Sequence, residues 1–459
     1  MIALFSFLSD SVMTPQKVQV FGLGLPEKGT PKEKRRYFVR WRVDGRDRMR
    51  SFKTKGEAER LRAQLQTAVM AGQLFDFGSG MPGDWVSSGE TWWTWSRQWL
   101  QLKWPGWSGN SRRSAVESLV ALTPFMVRPG APKPPGDLRG WLRTEGFELR
   151  GEPDRNGEMA RWLERCSARL NELQPVTLEA ALTGATTRAD GKAMSAEVIR
   201  RRRTTLNAVL KMAVRRGHLD ANPMEKVEWK VPDRTLAVDI STVPSFKDIA
   251  AVVDFTKEGP PGSRRYAALF GCVGFSGMRP SEAMGLCVDD LTLPTQGWGL
   301  ATLRGATTTP GIRFTNDDEV FEDKELKQRA VGAVRAVPLS PVLVARLEEH
   351  LVAFPPVDGQ VFTTSKGTPM SSTSYSVAWK RARAHQWPGS SVLADVTLYD
   401  LRHSAATLML RAGVMPAEVA RRLGHSVDVL MRTYAGVLDD EADRSNLIIE
   451  QEQDRQLED

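Results

Sequence analysis

The chain has 459 residues, too many for one ordinary core, so about two to four domains are expected. Hydrophobic residues make up 41% and charged residues 26%, a globular composition that argues against a disordered chain, and no apolar stretch reaches transmembrane length. The formal net charge of +8 points to a polyanionic partner, nucleic acid first, while the three cysteines (Cys166, Cys272 and Cys287) are too scattered for a disulfide framework or a zinc site. They read as reduced core residues of a cytosolic protein. The opening MIALFSFLSDS has no basic leader or cleavage site and is not read as a signal peptide, with Met13 an alternative start.

Residues 1–34 read as an irregular leader. From Arg36 the pattern changes, because Tyr37, Val39, Trp41 and Val43 alternate with Arg36, Phe38, Arg40 and Arg42 at a strand period. Asp44-Gly45 is a hairpin turn signal, and a return strand is predicted over 46–53. Ala58, Leu61, Leu65 and Val69 then form a helical stripe. The unit expected over 35–76 is therefore a small sheet with one helix across it. Between residues 34 and 62 there are twelve Lys or Arg against four Asp or Glu. Such a surface is either a solvated hairpin or one that lays Arg36, Arg40 and Arg42 along phosphates or into a DNA groove.

Residues 78–89, rich in Gly, Ser and Pro, read as a linker. A helical region dense in tryptophan comes next, with Trp92, Trp93, Trp95, Trp99, Trp104 and Trp107. These read as helix-packing core, with base stacking as the alternative. PGAPKPPG at 129–136 must be a loop, since prolines break helices and strands. Over 195–216 a helix is predicted. Val198, Leu206, Val209, Leu210 and Met212 or Val214 give its apolar face, and Arg200, Arg201, Arg202, Arg203, Lys211, Arg215 and Arg216 its basic face. Asn222-Pro223 closes the segment. The basic face is either solvated or a contact for a DNA backbone, with Arg200 and Arg201 as candidates. A helical domain is expected over 85–235, lengthened by an insertion near 129–160, and 229–244 links it to the last domain.

That last domain, 245–445, begins with helices. Residues 266–275 are almost wholly apolar and lead into Gly277-Met278-Arg279-Pro280-Ser281-Glu282. Residues 300–303 and 334–339 read as strands, the second holding Arg335-Ala336-Val337-Pro338-Leu339, with Lys324 and Lys327 just upstream. Leu401, Ala405 and Leu408 recur at helical spacing, which places Arg402 near the start of an amphipathic helix. A second helix is predicted from Pro416, and Gly424 would end it. His425 therefore lands at a helix stop, and a short element then carries Tyr434. Residues 446–459 form a tail.

Arg402-His403, then Leu423-Gly424-His425, then Tyr434 nine positions after that histidine, resemble the C-terminal signature of the tyrosine recombinases, the phage integrase family. Residues 277–282 are similar to the first box of that family, and 335–339 to the strand that follows its lysine-bearing hairpin. Residues 35–76 resemble the arm-DNA-binding domain of the larger integrases, and 85–235 resemble the helical core-DNA-binding domain. The resemblance implies a multidomain fold, mainly α with small β-sheets. Its parts would be an N-terminal hairpin-plus-helix domain, a helical domain and an α+β C-terminal catalytic domain. It implies a phage or mobile-element integrase that cuts and rejoins DNA through a 3′-phosphotyrosyl intermediate. A chromosome-type resolvase or a type IB topoisomerase-like enzyme is the alternative, and a non-catalytic DNA-binding protein is a further one.

The resemblance also assigns roles. Arg279 and Arg402 match the catalytic arginines, Tyr434 the nucleophile, and His425 a residue that binds phosphate or helps move a proton. Lys327 is the candidate for the hairpin lysine, with Lys324 its rival. Glu282 would orient local groups, and His403 would brace its helix. Tyr399 stands where the family usually has histidine or lysine; a phenol can donate to a phosphate oxygen but brings no charge. The residue types suit the chemistry. Planar guanidiniums clamp the oxygens on which charge grows, each contact supplying on the order of 3 kcal/mol. A phosphotyrosyl ester conserves the energy of the bond it replaces, so no metal and no other cofactor is implied. The implied partners are double-stranded DNA attachment sites, further copies of the chain in a homotetramer, a DNA-bending host factor and a directionality factor. No membrane is implied, and the expected location is the cytoplasm of a bacterial host.

Overall fold

The structure is a computed structural model that describes residues 16–26, 31, 35–75, 79–82, 90–150, 157–232, 237–317, 319–326, 332–390, 393, 395–439 and 442–458. The chain divides into two compact units, 1–107 with 114–232, and 108–113 with 233–459. Among the described residues no helix is long and apolar enough to cross a membrane.

The first unit opens with a three-stranded antiparallel sheet of β1 (Val18–Val20), β2 (Tyr37–Val43) and β3 (Arg46–Phe52), in that order. The stretch expected to be an irregular leader thus supplies a strand, with Val18 opposite Val43 and Val20 opposite Trp41. Three residues were too short a run to show alternation. Asp44 and Gly45 both take positive φ, 45° and 85°, the turn that suits a tight hairpin. The strand period sorts the side chains. Val39, Trp41 and Val43 are buried against α1 (Lys55–Met70), while Arg40 and Arg42 are exposed.

The rest of this unit is helical, formed by α2 (Trp92–Lys103), α3 (Gly109–Leu122) from residue 114 onward, the short α4 (Leu138–Trp141), α5 (Glu158–Cys166), α6 (Pro175–Thr186) and α7 (Ala196–Arg215). Trp92, Trp93, Trp95 and Trp99 are buried, so the tryptophans of α2 are core. Trp141 and Phe147, in the stretch expected to be an insertion, place their rings 5.7 and 5.4 Å from that of Trp93. On α7 the buried side is Ile199, Thr205, Leu206, Val209, Leu210 and Ala213. Leu206, Val209 and Leu210 are buried as expected, but Val198, Met212 and Val214 flank the core instead of filling it.

The second unit carries α8 (Phe246–Glu258), the short α9 (Pro261–Arg264), α10 (Ala267–Ser276) and α11 (Pro280–Met284). A sheet of β4 (Leu291–Thr292), β5 (Gly299–Leu303) and β8 (Arg335–Leu339) comes next, together with a separate pair, β6 (Gly305–Thr308) and β7 (Glu322–Glu325). All these pairings are antiparallel. The helices α12 (Pro341–Ala353), α13 (Ser372–Gln386), α14 (Leu401–Arg411), α15 (Pro416–Leu423), α16 (Val427–Asp439) and α17 (Ala442–Glu458) complete it. Helix α10 is apolar all round because it is central: its residues 267–274 are all buried, and it packs against α8, α12 and α14. A second apolar cluster lies among α14, α15 and α16 and includes Leu410, Val419, Leu423, Leu430, Tyr434 and Val437. Val238 and Ile240, from the segment that enters the unit, pack on that cluster, and the Val238 N–H donates to Thr433 O at 2.9 Å.

Candidate active site

Two helices that end on glycine set the site. Helix α10 stops at Gly277, whose φ of 71° is left-handed; the Gly277 N–H donates to Val273 O at 3.1 Å and the Met278 N–H to Cys272 O at 3.3 Å. Helix α15 stops the same way at Gly424, φ 67°, with the His425 N–H on Ala420 O at 2.9 Å. Neither position has room for a side chain. A Cβ at 277 would come within 2.5 Å of Leu423 Cδ2, and one at 424 within 2.6 Å of Arg335 Nη1.

The carbonyls left over at these ends carry partial negative charge, and guanidiniums occupy them. Arg402 Nη1 donates to Gly277 O at 2.6 Å, and its Nη2 donates to Leu423 O. Arg335 Nη1 donates to the same Leu423 carbonyl, and Arg279 Nη2 reaches Gly424 O at 3.4 Å. Three arginines distant in sequence thus close on two helix ends.

Glu282 is their counter-charge, and only 2% of its side chain is exposed. Its Oε2 accepts from Arg335 Nη2 at 2.5 Å and from the Arg279 backbone N–H at 2.7 Å, while Oε1 accepts from Arg279 Nη1 at 2.6 Å. Arg402 Nη1 lies 3.9 Å from Oε2. Burial pushes this carboxyl up, but the charges of Arg335 and Arg279, the Arg279 N–H and Arg402 outweigh it. The net result holds Glu282 below the ordinary carboxylate range. Of the three guanidiniums, Arg279 is the most exposed, with 23% of its side chain accessible against 2% for Arg335 and 1% for Arg402.

Burial and then the neighbouring Arg279 bring Arg402 down to about 10, so it stays protonated at neutral pH. Its Nη2 also donates to His425 Nε2 at 2.9 Å, which leaves the ring proton on Nδ1. Burial, reinforced by Arg402, Arg279 and Arg335, lowers His425 to about 4, so this imidazole is neutral at pH 7.

Tyr434 sits at a break in α16, where φ is −120° and ψ 19°. It is 1% exposed, and burial raises its phenol above the ordinary tyrosine value, against the pull of Arg402. Its hydroxyl lies 2.8 Å from His403 Nδ1. Consecutive residues on a helix point about 100° apart, so one turn of α14 aims Arg402 at the glycine-capped helix ends and His403 at α16. His403, expected only to brace its helix, therefore reaches the tyrosine hydroxyl.

The structure brings Arg279, Glu282, Arg402, His403, His425 and Tyr434 together in one unit. Tyr399, on the turn before α14, is 44% exposed, with its ring centroid 6.0 Å from that of His403. Lys327 lies outside the described residues; Lys324 is on β7 with its ammonium 3.0 Å from Glu322 Oε2. In the first unit Arg36, Arg40 and Arg42 are exposed, and Arg42 is paired with Asp47 at 2.6 Å. Arg200 Nη2 donates to Pro232 O at 3.0 Å, and Arg201 lies 3.9 Å from Glu197. Sequence reasoning missed the Arg335 side chain. The signal was there, because the strand period puts Arg335 on the same face as Val337 and Leu339, and a buried arginine demands a carboxylate.

Residues 245–441 match the model described as the phage integrase family. This domain belongs to that family. Two curated relatives are tyrosine recombinases XerC, one from Lactobacillus delbrueckii subsp. bulgaricus (25% identical over 240 residues) and one from Lactobacillus leichmannii (25% over 247). Each match covers 52% of this chain and 71% of the relative. This domain is accordingly that of an enzyme of the tyrosine recombinase type. Similar solved structures include a Tn1549 transposon integrase in complex with a circular intermediate DNA, at 17% identity and TM-score 0.48, covering 64% of this chain and 95% of that one. A lambda integrase dimer bound to a COC′ core site is similar at 16% identity and TM-score 0.47, over 73% of this chain and 96% of that one.

Proposed function

We propose that this tyrosine recombinase is an integrase that cuts and rejoins double-stranded DNA at attachment sites through a 3′-phosphotyrosyl intermediate. One observation carries the reading: the Tyr434 hydroxyl is held by the residue next to Arg402, and Arg402 shares Glu282 with Arg279. The nucleophile and the phosphate clamp are thereby fixed to one framework. Arg279 and Arg402 hold the equatorial oxygens, and Tyr434 attacks the phosphorus and releases a 5′-hydroxyl. His425, neutral and anchored by Arg402, donates its free Nδ1–H to a phosphate oxygen. Lys327 protonates the leaving oxygen. Exchange of two duplexes needs four cuts, one tyrosine each, so the active species is a tetramer. The basic sheet of the first unit holds DNA away from the cut, which favours an integrase over a resolvase that lacks such a unit.

The test uses nicked duplexes built from sequences that the protein itself selects out of a random pool. The full chain should form a covalent protein–DNA adduct, and Tyr434→Phe should bind the same DNA and form none. An adduct at normal yield from Tyr434→Phe would sink the assignment.

A further inference from the structure

We propose that His403 is the general base of DNA cleavage, its Nδ1 taking the proton of the Tyr434 hydroxyl as that oxygen attacks the scissile phosphorus. The inference rests on Tyr434 being the nucleophile and assigns a role that the arginine clamp leaves open.

Three observations carry it. Nδ1 of His403 is 2.8 Å from the hydroxyl, and among the described residues it is the only hydrogen-bond partner of that oxygen. With the ring proton on Nε2, the hydroxyl donates and Nδ1 accepts, and this is the tautomer the proposal requires. Second, the phenol is buried, and burial holds it above its ordinary value, so it does not ionise in advance and must lose its proton during attack. Third, the other imidazole in the cluster is engaged elsewhere, since His425 Nε2 accepts from Arg402. The position where the family usually has a histidine or lysine holds Tyr399, so no imidazole stands there.

The surroundings keep His403 ready to accept. Burial lowers its pKa and Arg402 lowers it further, against Asp400 on the preceding turn, which raises it. His425 and the phenols of Tyr399 and Tyr434 are the other titratable groups that face it among the described residues. The imidazole is therefore neutral at pH 7. As the Tyr434 oxygen–phosphorus bond forms and the bond from phosphorus to the 5′-oxygen breaks, the phenol proton passes to Nδ1 and the 5′-oxygen takes a proton from the hairpin lysine. On resealing, the 5′-hydroxyl loses its proton to that lysine as it attacks, and the imidazolium returns its own to the departing tyrosine oxygen.

The experiment is single-turnover cleavage of a nicked duplex by the full chain and by His403→Gln, which can hold the hydroxyl but cannot take its proton. The variant should bind DNA as the unmodified protein does, and cleave about 10²- to 10⁴-fold more slowly. The rate of the unmodified protein should fall on the acid side as His403 protonates, and that limb should vanish in the variant. Placing trifluorotyrosine, a more acidic phenol, at position 434 should restore the variant to within about tenfold, since an easily ionised nucleophile needs little help. His403→Ala with added imidazole is a second route to the same rescue. A variant that cleaves within about threefold of the unmodified protein overturns the proposal, as does a defect that neither fluorination nor imidazole relieves. If the unmodified protein forms no adduct at all, the proposed function itself fails, and this inference with it.

Discussion

Replacing Glu282 by glutamine keeps the shape of the side chain and removes the charge that three guanidiniums share. Glutamine retains one acceptor oxygen, but its amide nitrogen must face either Arg335 or Arg279, whose donors now lie 2.5 and 2.6 Å from the carboxylate. At least one charge-assisted bond is lost, worth about 1.5–3 kcal/mol. Leaving buried arginines without their partner costs about 3–5 kcal/mol in all. For a unit of this size each kcal/mol lowers the melting temperature by about 2–4 °C, so the transition of the second unit should fall by about 6–20 °C at pH 7. Calorimetry of the full chain reads this directly. The pH dependence has a definite sign. Glu282 is held below the ordinary carboxylate value, so its stabilisation is fully present above the unfolded value of about 4.3 and is lost as pH falls through the folded value. The gap between the two proteins should therefore close below about pH 4. A shift of less than about 3 °C at pH 7, or a gap equally wide at both pH values, refutes the reasoning.

Stability of the unmodified chain should decline as pH drops from about 6.5 toward 4, because the folded state holds His425 neutral at about 4 while the unfolded chain takes up a proton; His425→Asn should flatten that part of the curve. Gly424→Ala should cost about 1–3 kcal/mol in denaturant titrations and slow cleavage, since the added Cβ meets Arg335 Nη1 at 2.6 Å in a left-handed conformation. Lys327→Ala should lose cleavage of ordinary DNA but recover on a 5′-bridging phosphorothiolate, whose thiol leaves with a pKa of about 8.5. Lys324→Ala should need no such rescue, and the reverse pattern would exchange the two lysines. Deleting residues 1–75 should leave cleavage at the core site intact and reduce the salt dependence of DNA binding, measured as the slope of affinity against salt.

The catalytic helices were legible because their punctuation is chemical. Pro416 and Gly424 bound α15 as a helix-opening proline and a left-handed stop should, and Gly277 ends α10 on the same rule. The hairpin was legible for a similar reason, since Asp44-Gly45 fixes the turn and alternation fixes the register. What escaped are contacts that sequence distance hides. Arg335 and Glu282 lie far apart in the chain, and only the fold puts a strand arginine on a helix glutamate. The contact of His403 with the Tyr434 hydroxyl is another, because the helical turn sends His403 and Arg402 to different neighbours. The three residues of β1 gave too little pattern to separate a strand from a leader. On α7 the middle of the buried face, Leu206, Val209 and Leu210, is as expected, while towards its ends Ile199 and Ala213 are buried in place of Val198 and Met212 or Val214.

The bond from Val238 to the carbonyl of Thr433 ties incoming chain to the residue just before the nucleophile. Ile240 lies on the same stretch, and a Cβ on Gly436, two residues past the nucleophile, would be 3.5 Å from its Cδ1. The tyrosine is thus gripped from both sides by polypeptide that lies upstream of the 245–441 family match. In mechanical terms the linker is a tether with its knot at Tyr434. A fragment cut at the family boundary lacks both contacts and leaves that knot untied.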